Sequence, residues 1–296
     1  MLQILKKGVR STIYALKGES KPQPGEFAKR IKKRHNIFWK SIDADLVRNS
    51  NMRKGDSLEQ WHNVKYWQRK LSNKYNARLF AEMHGCRVPD LYWKGRNLDD
   101  LDFNKLPKQY VIRPTIGHSC NMVFLMNNTF NLMDKNFYSE EEIRERLHQA
   151  LLENPFQEFL FEEFVKSENG EYKIPDDYKF SLFNGELAVI DVINRTSPKA
   201  GLSGCYDEHW NKVDTLSAYY HEAPYQAPPH CLAEMIEHAK KLSKAYQIFV
   251  RIDFYATDKG AVFGEFTPTP GRGEGFTIDA DKKLLECWDK FCPGMI

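Results

Sequence analysis

The stretch that decides the fold is Arg251-Ile-Asp-Phe-Tyr-Ala-Thr-Asp-Lys-Gly-Ala-Val-Phe-Gly-Glu-Phe-Thr-Pro-Thr-Pro-Gly-Arg-Gly-Glu-Gly-Phe276. Residues 249–255 and 261–266 are two short runs rich in β-forming side chains. The turn sequence at residues 257–260 separates them and predicts an antiparallel hairpin. Period-two alternation along the two strands can place Asp253 and Glu265 on the same face.

This pair of acids predicts a metal site. Two carboxylates on adjacent strands, followed by a glycine-rich loop that carries a cation, suit Mg²⁺ held beside substrate phosphates. One such acid alone would be better interpreted as a solvated strand residue. Because Phe, Val and Ile flank both Asp253 and Glu265, the pair requires a compensating cation or hydrogen-bond donors.

The length and composition are those of an ordinary globular protein. The 296 residues are enough for a large core or two domains, and 42% are hydrophobic and 28% charged. No run approaches the ~20 apolar residues of a membrane-spanning helix, and the N-terminus lacks the pattern of a cleaved signal, so we expect a cytoplasmic protein. The six cysteines are scattered with no Cys-x-x-Cys pair, which favours reduced thiols over disulfides or a zinc site.

The net charge of +3 conceals an excess of basic residues in the first quarter of the chain. They are Lys6, Lys7, Lys29, Arg30, Lys32, Lys33, Arg34, Arg53, Lys54, Arg69 and Lys70. Their field predicts contact with an anionic polymer, the inner face of a membrane or nucleic acid, and a solvated helix face is an equally open alternative. The aromatic residues at 61–67 are spaced for a helix packing face rather than for base stacking, which disfavours nucleic acid.

Local patterns predict further helices and strands. Residues 26–84 are expected to be mostly helical, with a break near Ser72 and Asn73, and the pattern at residues 88–93 predicts an edge strand or an extended run. Ser139 and Glu142 form a capping box for a helix at 139–152. A second helix is expected at 231–246, where the apolar residues fall on one stripe.

A second hairpin and a long connection lie between these helices. Residues 177–183 and 187–193 read as strands joined by Asn184-Gly185, a strong signal for a tight turn. Alternation along the first strand turns Lys179 away from its aromatic neighbours, toward whatever the sheet cradles or toward water. Residues 196–229 read as loop-rich, and a connection of that length is more often functional than idle.

Residues 108–126 form a second stretch that indicates chemistry. Two apolar strands flank a small-residue turn at Gly117-His118-Ser119, and Arg113 ends the first strand. Backbone amides in such a turn, with a guanidinium beside them, suit a polyphosphate. A hairpin turn with one glycine is also often only a turn, so the phosphate interpretation depends on the surrounding segments.

Taken in order, these segments resemble the ATP-grasp superfamily, and more narrowly its TupA-like branch, named for a teichuronopeptide synthesis protein. The segments that carry the resemblance are residues 73–75, 105–113, 177–185, 205–210, 251–255 and 264–267. The similarity extends over roughly residues 70–280. It implies an α+β fold in which two lobes with antiparallel sheets clasp a nucleotide. The expected division is a basic, mostly helical region at 1–70, a small lobe at 71–163 and a large lobe at 164–296.

The resemblance also implies a reaction with ATP and Mg²⁺. A carboxylate would be phosphorylated, and an amine would attack the acyl phosphate to give an amide. The carry-over assigns Lys74, Arg113, Gly117, His118, Ser119 and Lys179 to the nucleotide phosphates; Glu162, Glu163, Phe164 and Val165 to the adenine side; and Asp253, Glu265 and Thr267 to the metal. Lys179 and Arg195 fall where basic residues face phosphate or the developing acyl phosphate, and Arg272 is the candidate for gripping a substrate carboxylate.

The sequence departs from the family pattern at four places. Arg113 stands where a lysine is usual, and Thr267 stands where asparagine is common. The glycine loop has one glycine, Gly117. The N-terminal region also lacks the alternating strands and helices of the usual first domain.

Three functions remain open from the sequence. The first is a carboxylate–amine ligase that joins an amine or amino acid to a small-molecule or glycan carboxylate. The second is a kinase of the same fold that phosphorylates a hydroxyl group, and the third is a binding module without catalysis. Lys74, His118 and Arg272 each have an ordinary alternative as a surface or turn residue.

Overall fold

The computed structural model describes residues 24–117, 120–197 and 200–296. Seven α-helices lie in this part of the chain: α1 (Glu26–Trp39), α2 (Ala44–Asn49), α3 (Leu58–Trp61), α4 (Lys74–Met83), α5 (Glu140–Glu153), α6 (Leu232–Tyr246) and α7 (Ile278–Phe291). Short 3₁₀ turns occupy Trp67–Ser72, Leu98–Asp100, Phe103–Lys105 and Pro270–Gly273. Within the described ranges, no helix combines the length and apolar character needed to cross a membrane.

The strands form two separate sheets. The six-stranded sheet contains β1 (Leu91–Gly95), β2 (Gln109–Pro114), β3 (Phe124–Asn127), β4 (Phe130–Asn131), β5 (Asn136–Phe137) and β6 (Phe159–Glu163), in the order β1-β6-β2-β3-β4-β5. The seven-stranded sheet contains β7 (Asp177–Phe183), β8 (Glu186–Ser197), β9 (Ala200–Tyr206), β10 (Lys212–Val213), β11 (His221–Glu222), β12 (Val250–Thr257) and β13 (Gly260–Thr267). Its order is β10-β9-β8-β7-β12-β13, with β11 paired to β9. The predicted α+β class with antiparallel sheets is confirmed.

The two predicted hairpins are both present. Asn184 and Gly185 adopt φ angles of 51° and 98° between β7 and β8, the left-handed conformation that a tight two-residue turn requires. In the second hairpin, β12 pairs with β13 so that Asp253 lies directly opposite Glu265. Directly paired residues of an antiparallel ladder project to the same face, so the two carboxylates are neighbours, as the alternation predicts.

Each sheet has its own hydrophobic core. The six-stranded sheet packs against α5 through residues such as Ile143 and Leu147, which are buried. The seven-stranded sheet shares a larger core with α4, α6 and α7. Helix α4 lies between the two sheets: Phe80 packs against Phe266 of β13, while Arg78 reaches the six-stranded sheet. This position places the start of α4 at the junction of the two sheets.

Helix α1 is an integral part of the larger core. Phe27 is completely buried, and its ring makes edge contacts with aromatic rings of β7, α7 and the segment preceding β12. Burying such a ring contributes on the order of 1.5–3 kcal/mol. The helix starts after Gly25, which has no side chain to cap it. Asp281 of α7 caps it instead, because its Oδ2 and Oδ1 accept hydrogen bonds from the backbone amides of Phe27 (3.2 Å) and Ala28 (2.8 Å).

Two predicted segments differ from the structure. The helix expected through residues 57–72 is interrupted after α3, and Tyr66 has a φ of 62°. Trp61 and Trp67 are nonetheless both buried against Phe80, so tertiary packing of the two indole rings overrides the helical pattern. Residues 196–229, which were expected to be loop-rich, contain β9. The glycines in β9 weaken the sequence pattern that predicts a strand. A Cβ at Gly201 would lie 2.7 Å from the carbonyl oxygen of Asn194, so glycine is what permits this pairing.

The basic surface expected in the first quarter is smaller than the sequence indicates. Arg34, Arg69 and Lys70 are 7%, 6% and 3% exposed, so they cannot form part of an external surface. Arg34 donates to the carbonyl oxygen of Phe249 at 2.6 Å, and Lys70 donates to Asn63 at 2.8 Å. These cations are buried because backbone and amide oxygens satisfy them, which a charge count does not reveal. Lys6 and Lys7 lie outside the described residues, and the predicted anionic partner and the domain boundaries at 70 and 163 stay predictions.

Candidate active site at the junction of the two sheets

One row of the seven-stranded sheet carries four charged residues side by side. Glu265 of β13 pairs with Asp253 of β12, Asp253 with Lys179 of β7, and Lys179 with Asp191 of β8. Because directly paired side chains share a face and lie about 5 Å apart, this row forms a continuous polar strip. The sequence-based prediction that Lys179 faces away from its aromatic neighbours is confirmed.

Asp253 is held by two cations. The Lys179 ammonium group contacts its Oδ2, and Arg251 Nε donates to its Oδ1 at 3.1 Å. Lys179 also lies 3.4 Å from Oδ2 of Asp177. Burial alone would lower the pKa of Lys179, but Asp177 and Asp253 outweigh it and the pKa is raised. Lys179 is therefore a fixed positive charge at the centre of the strip.

Lys74 approaches the strip from the start of α4. Its Nζ lies 3.4 Å from Oε2 of Glu265 and donates to the carbonyl oxygen of Gly117 at 3.3 Å. Asn73 caps α4 by accepting from the amide of Tyr75, which fixes where Lys74 emerges. Burial would raise the pKa of Glu265, but the cations around it, Lys74 first, lower it below its ordinary value. Glu265 is thus ionised at neutral pH.

Arg113 connects the two sheets. Its Nε donates to Oε2 of Glu162 at 2.5 Å within the six-stranded sheet, and its Nη1 donates to the carbonyl oxygen of Gly264 in β13 at 3.3 Å. Glu162 is 1% exposed and also accepts from Arg78 at 2.7 Å. Burial would lower the pKa of Arg113, but Glu162 and neighbouring groups raise it, so the guanidinium stays charged.

Arg195 reaches the same strip from the far end of β8. Its Nη2 and Nε meet Oδ2 of Asp177 at 2.6 Å and 3.2 Å. Burial would raise the pKa of Asp177, but Lys179 and Arg195 lower it. Asp191, in contrast, has a raised pKa because burial dominates, and it accepts a hydrogen bond from Ser203 Oγ at 2.5 Å.

Five of the predicted site residues therefore converge here: Lys74, Arg113, Lys179, Asp253 and Glu265, with Arg195 joined to them through Asp177.

The oxygen donors of this site fit Mg²⁺. Asp253 and Glu265 offer hard carboxylate oxygens from paired positions, the ligand type that Mg²⁺ prefers. The described residues contain no cluster of three or more His, Cys, Asp or Glu side chains able to hold a metal, so phosphate oxygens and water would complete the shell. The Thr267 hydroxyl accepts from Arg251 Nη2 at 3.1 Å, and its assignment as third ligand stays a prediction.

The residues predicted for the adenine side lie on and after β6. Glu162 holds Arg78 and Arg113, which makes its side chain structural rather than available to a base. The Glu163 side chain pairs with Lys259, and its backbone amide donates to the carbonyl oxygen of Asp90 at 2.8 Å, so that amide is not free for adenine. Phe164 and Val165 are buried at 2% and 7% exposure.

Two predicted phosphate-loop residues, His118 and Ser119, lie outside the described part of the chain. Gly117 precedes them, and its carbonyl oxygen is bound by Lys74. Arg272 does not contact the polar strip. It lies on the 3₁₀ turn after β13, facing α1, where its positive charge contributes to lowering the pKa of His35.

Three residues of the site were missed by sequence reasoning. Arg251 stands two residues before Asp253 on the same strand, so period-two alternation alone places both on one face. Asp177 stands two residues before Lys179 and could have been found in the same way. Asp191 could be assigned to the site only once the register of β8 against β7, which pairs it with Lys179, was known.

The fold and this cluster define a protein of the ATP-grasp class. The TupA-like ATP-grasp family model matches residues 51–287, and the chain belongs to that family. A search of curated proteins found no match. Among solved structures, the chain is similar to the D-alanine–D-alanine ligase from Bacillus anthracis, with 18% identity and a TM-score of 0.51 over 76% of this chain and 68% of that one. It is also similar to the L-amino acid ligase from Bacillus licheniformis, with 12% identity and a TM-score of 0.49 over 73% of this chain and 49% of that one. At these identities the likeness shows the fold.

Proposed function

We propose that the protein is an ATP- and Mg²⁺-dependent carboxylate–amine ligase. A carboxylate oxygen of the acid substrate attacks the γ-phosphorus of ATP, and the bond to the bridging oxygen breaks to release ADP. The amine nitrogen then attacks the acyl carbon, phosphate leaves with the oxygen that carried it, and the amine loses a proton. The products are an amide, ADP and phosphate.

The observation that carries this proposal is the convergence of charges from separate elements on one strip. Acids of the β12–β13 hairpin meet Lys179 of the same sheet, Lys74 of α4 and Arg113 of the other sheet. Cations from both sheets beside a paired Asp253 and Glu265 suit a triphosphate with its metal. Such a site lowers a barrier by alignment and by electrostatic stabilisation of the transferring phosphoryl group.

The protein's own residues divide this work. Mg²⁺, when bound, neutralises charge on the phosphate oxygens and polarises them. Asp253 and Glu265 would hold it, and the lowered pKa of Glu265 keeps that carboxylate ionised. Lys74 and Arg113 hold the phosphates in line from the side of α4 and β2. Lys179, in contact with Asp253, is placed to face the charge that develops on the phosphoryl group.

For substrates, we propose a sugar acid, a glycan carboxylate or an amino acid destined for a surface polymer, together with an amine. Membership of the TupA-like family supports this class. We propose a cytoplasmic location because the reaction needs ATP. We also propose that the exposed lysines of α1 contact a polyanionic acceptor or the inner face of a membrane.

The test measures ADP release with a panel of sugar acids and amino acids, with and without hydroxylamine. A ligase forms an acyl phosphate that hydroxylamine traps as a hydroxamate, so hydroxamate and ADP appear together. A kinase would instead give a stable phosphate ester and no hydroxamate. If no acid supports ATP-dependent turnover and the protein binds no nucleotide, the remaining candidate is a binding module without catalysis. Asp253→Asn is expected to abolish hydroxamate formation, whereas Asp258→Asn, at the exposed tip of the same hairpin, serves as the matched control.

A further inference from the structure

The loop after β13 holds an arginine in a strained conformation. Arg272 has a φ of 55°, a left-handed conformation that costs stability in a residue with a Cβ, and it lies between Gly271 and Gly273 in the turn Pro270–Gly273. Its side chain is exposed. A strained, exposed arginine directly after the strand that carries Glu265 is a reason to look for a ligand there.

Helix α1 fixes this loop in place. A Cβ on Gly273 would lie 2.2 Å from the carbonyl oxygen of Ala28, so the loop packs directly on the helix backbone at a position that only glycine permits. His35 lies further along the same helix, and its Nδ1 is 3.4 Å from Oγ1 of Thr269. Arg69 Nη1 donates to the same hydroxyl oxygen at 3.3 Å.

We call these side chains the Arg272 cluster: Arg272, His35, Arg69 and Thr269. Oxygen atoms of Arg34 and Thr269 accept hydrogen bonds from Arg69. Burial lowers the pKa of His35, and the charges of Arg69 and Arg272 lower it further. Among the described residues, no ion pair involves Arg69 or Arg272, and Glu274, the acid nearest to Arg272 in sequence, does not reach it. Guanidinium groups without a carboxylate partner are suited to an anion.

We propose that the Arg272 cluster binds a second anionic group of the acid substrate. This inference rests on the proposed function, because it assumes that a first carboxylate is activated at the strip formed by Asp253 and Glu265. The proposed function assigns Lys74, Arg113 and Lys179 to the phosphates at that strip, so we assign the cluster beyond β13 to the substrate. The substrate is then a diacid, or an acid that also carries a phosphate, rather than a monocarboxylate.

The proposal makes α1 part of the substrate site. The family match starts at residue 51, whereas α1 ends at Trp39, so His35 comes from a segment that precedes the matched region. In this proposal Arg272 supplies the exposed charge and His35 supplies a ring nitrogen. The Thr269 hydroxyl contacts both His35 and Arg69 and so links them. Arg69 is only 6% exposed and donates to the Thr269 hydroxyl, so it acts as a positioning residue.

The test titrates inorganic sulfate and, separately, malonate into protein saturated with ADP and Mg²⁺, at constant ionic strength, by calorimetry. We expect saturable binding of at least one anion by the parent, weakened about tenfold or more in Arg272→Ala, because a charge-assisted hydrogen-bond pair is removed. Arg272→Lys keeps the charge without the fork and is expected to lie between the two. Arg53→Ala, an exposed arginine elsewhere, is the control and should bind like the parent.

The two anions distinguish the sources of the negative charge. Stronger sulfate binding identifies a phosphate-like group, and stronger malonate binding identifies carboxylates; either outcome supports the site. No saturable binding in the parent, or equal binding in parent and Arg272→Ala, overturns the proposal. Failure of ADP and Mg²⁺ to bind at all would count against the proposed function instead, and the anion titration would still test the Arg272 cluster by itself.

Discussion

Replacing Glu162 by glutamine tests how the two sheets are joined. The Glu162 carboxylate is 1% exposed and lies 2.5 Å from Arg113 and 2.7 Å from Arg78, which are themselves buried. Glutamine has nearly the same shape but no charge, and its amide nitrogen cannot accept from a guanidinium. The substitution therefore leaves buried Arg113 without its carboxylate partner, and it leaves Arg78 with only Glu82, which is 4.0 Å away.

The expected loss follows from that geometry. Removing one partner of a buried, hydrogen-bonded ion pair costs about 3–5 kcal/mol, because the charge left behind is desolvated. Equilibrium unfolding in urea, followed by tryptophan fluorescence, measures the loss. Glu158→Gln is the matched control: Glu158 directly precedes the same strand and pairs with Lys94, but both side chains are about a fifth exposed, at 19% and 20%. We expect that control to lose no more than ~1 kcal/mol.

A second readout separates stability from site geometry. Arg113 also donates to the carbonyl oxygen of Gly264 in β13, next to Glu265, so its release should weaken ATP binding as well as stability. If Glu162→Gln loses no more stability than Glu158→Gln and binds ATP like the parent, the role assigned to this buried carboxylate is refuted.

Two further predictions concern the attachment of α1. Gly273→Ala should destabilise the fold by at least ~2 kcal/mol in urea unfolding, because it adds a backbone clash to a positive φ, whereas Gly271→Ala, which has a positive φ but no atom within 4 Å of the added Cβ, should lose only about 1 kcal/mol. Equal losses would contradict the close approach of α1. Asp281→Ala should lose about 1–3 kcal/mol, because two backbone amides at the start of α1 lose their acceptor, whereas Asp289→Ala on the same helix should change stability by less than ~1 kcal/mol. If the Asp281→Ala protein is as stable as the Asp289→Ala protein, the two capping hydrogen bonds do not contribute to the free energy of unfolding.

The sequence was sufficient for elements whose signal is local. Asn184-Gly185 specifies a turn that needs positive φ at both residues, and Ser139 with Glu142 specifies a helix start, so both could be predicted without knowing the rest of the chain. The pairing of Asp253 with Glu265 followed from alternation and a short turn. The family resemblance added the order of the segments.

Features that depend on distant contacts could not be predicted in this way. The break between Trp61 and Trp67 exists because both rings pack on Phe80, and neither ring reveals that partner in the local pattern. Arg34 and Arg69 were counted as surface charge, although backbone oxygens far along the chain bury them. A charge count contains no information on depth, so the basic region was overestimated.

The central claim is that a divalent ion and a triphosphate bind together at the strip formed by Asp253 and Glu265. Calorimetry of ATP binding with and without Mg²⁺, on the parent, Asp253→Asn and Asp258→Asn, tests it most directly. We predict Mg²⁺-dependent binding in the parent and in Asp258→Asn, weakened at least about tenfold, or ~1.4 kcal/mol, in a folded Asp253→Asn protein. ATP binding that is independent of Mg²⁺ and unchanged in Asp253→Asn would contradict the claim.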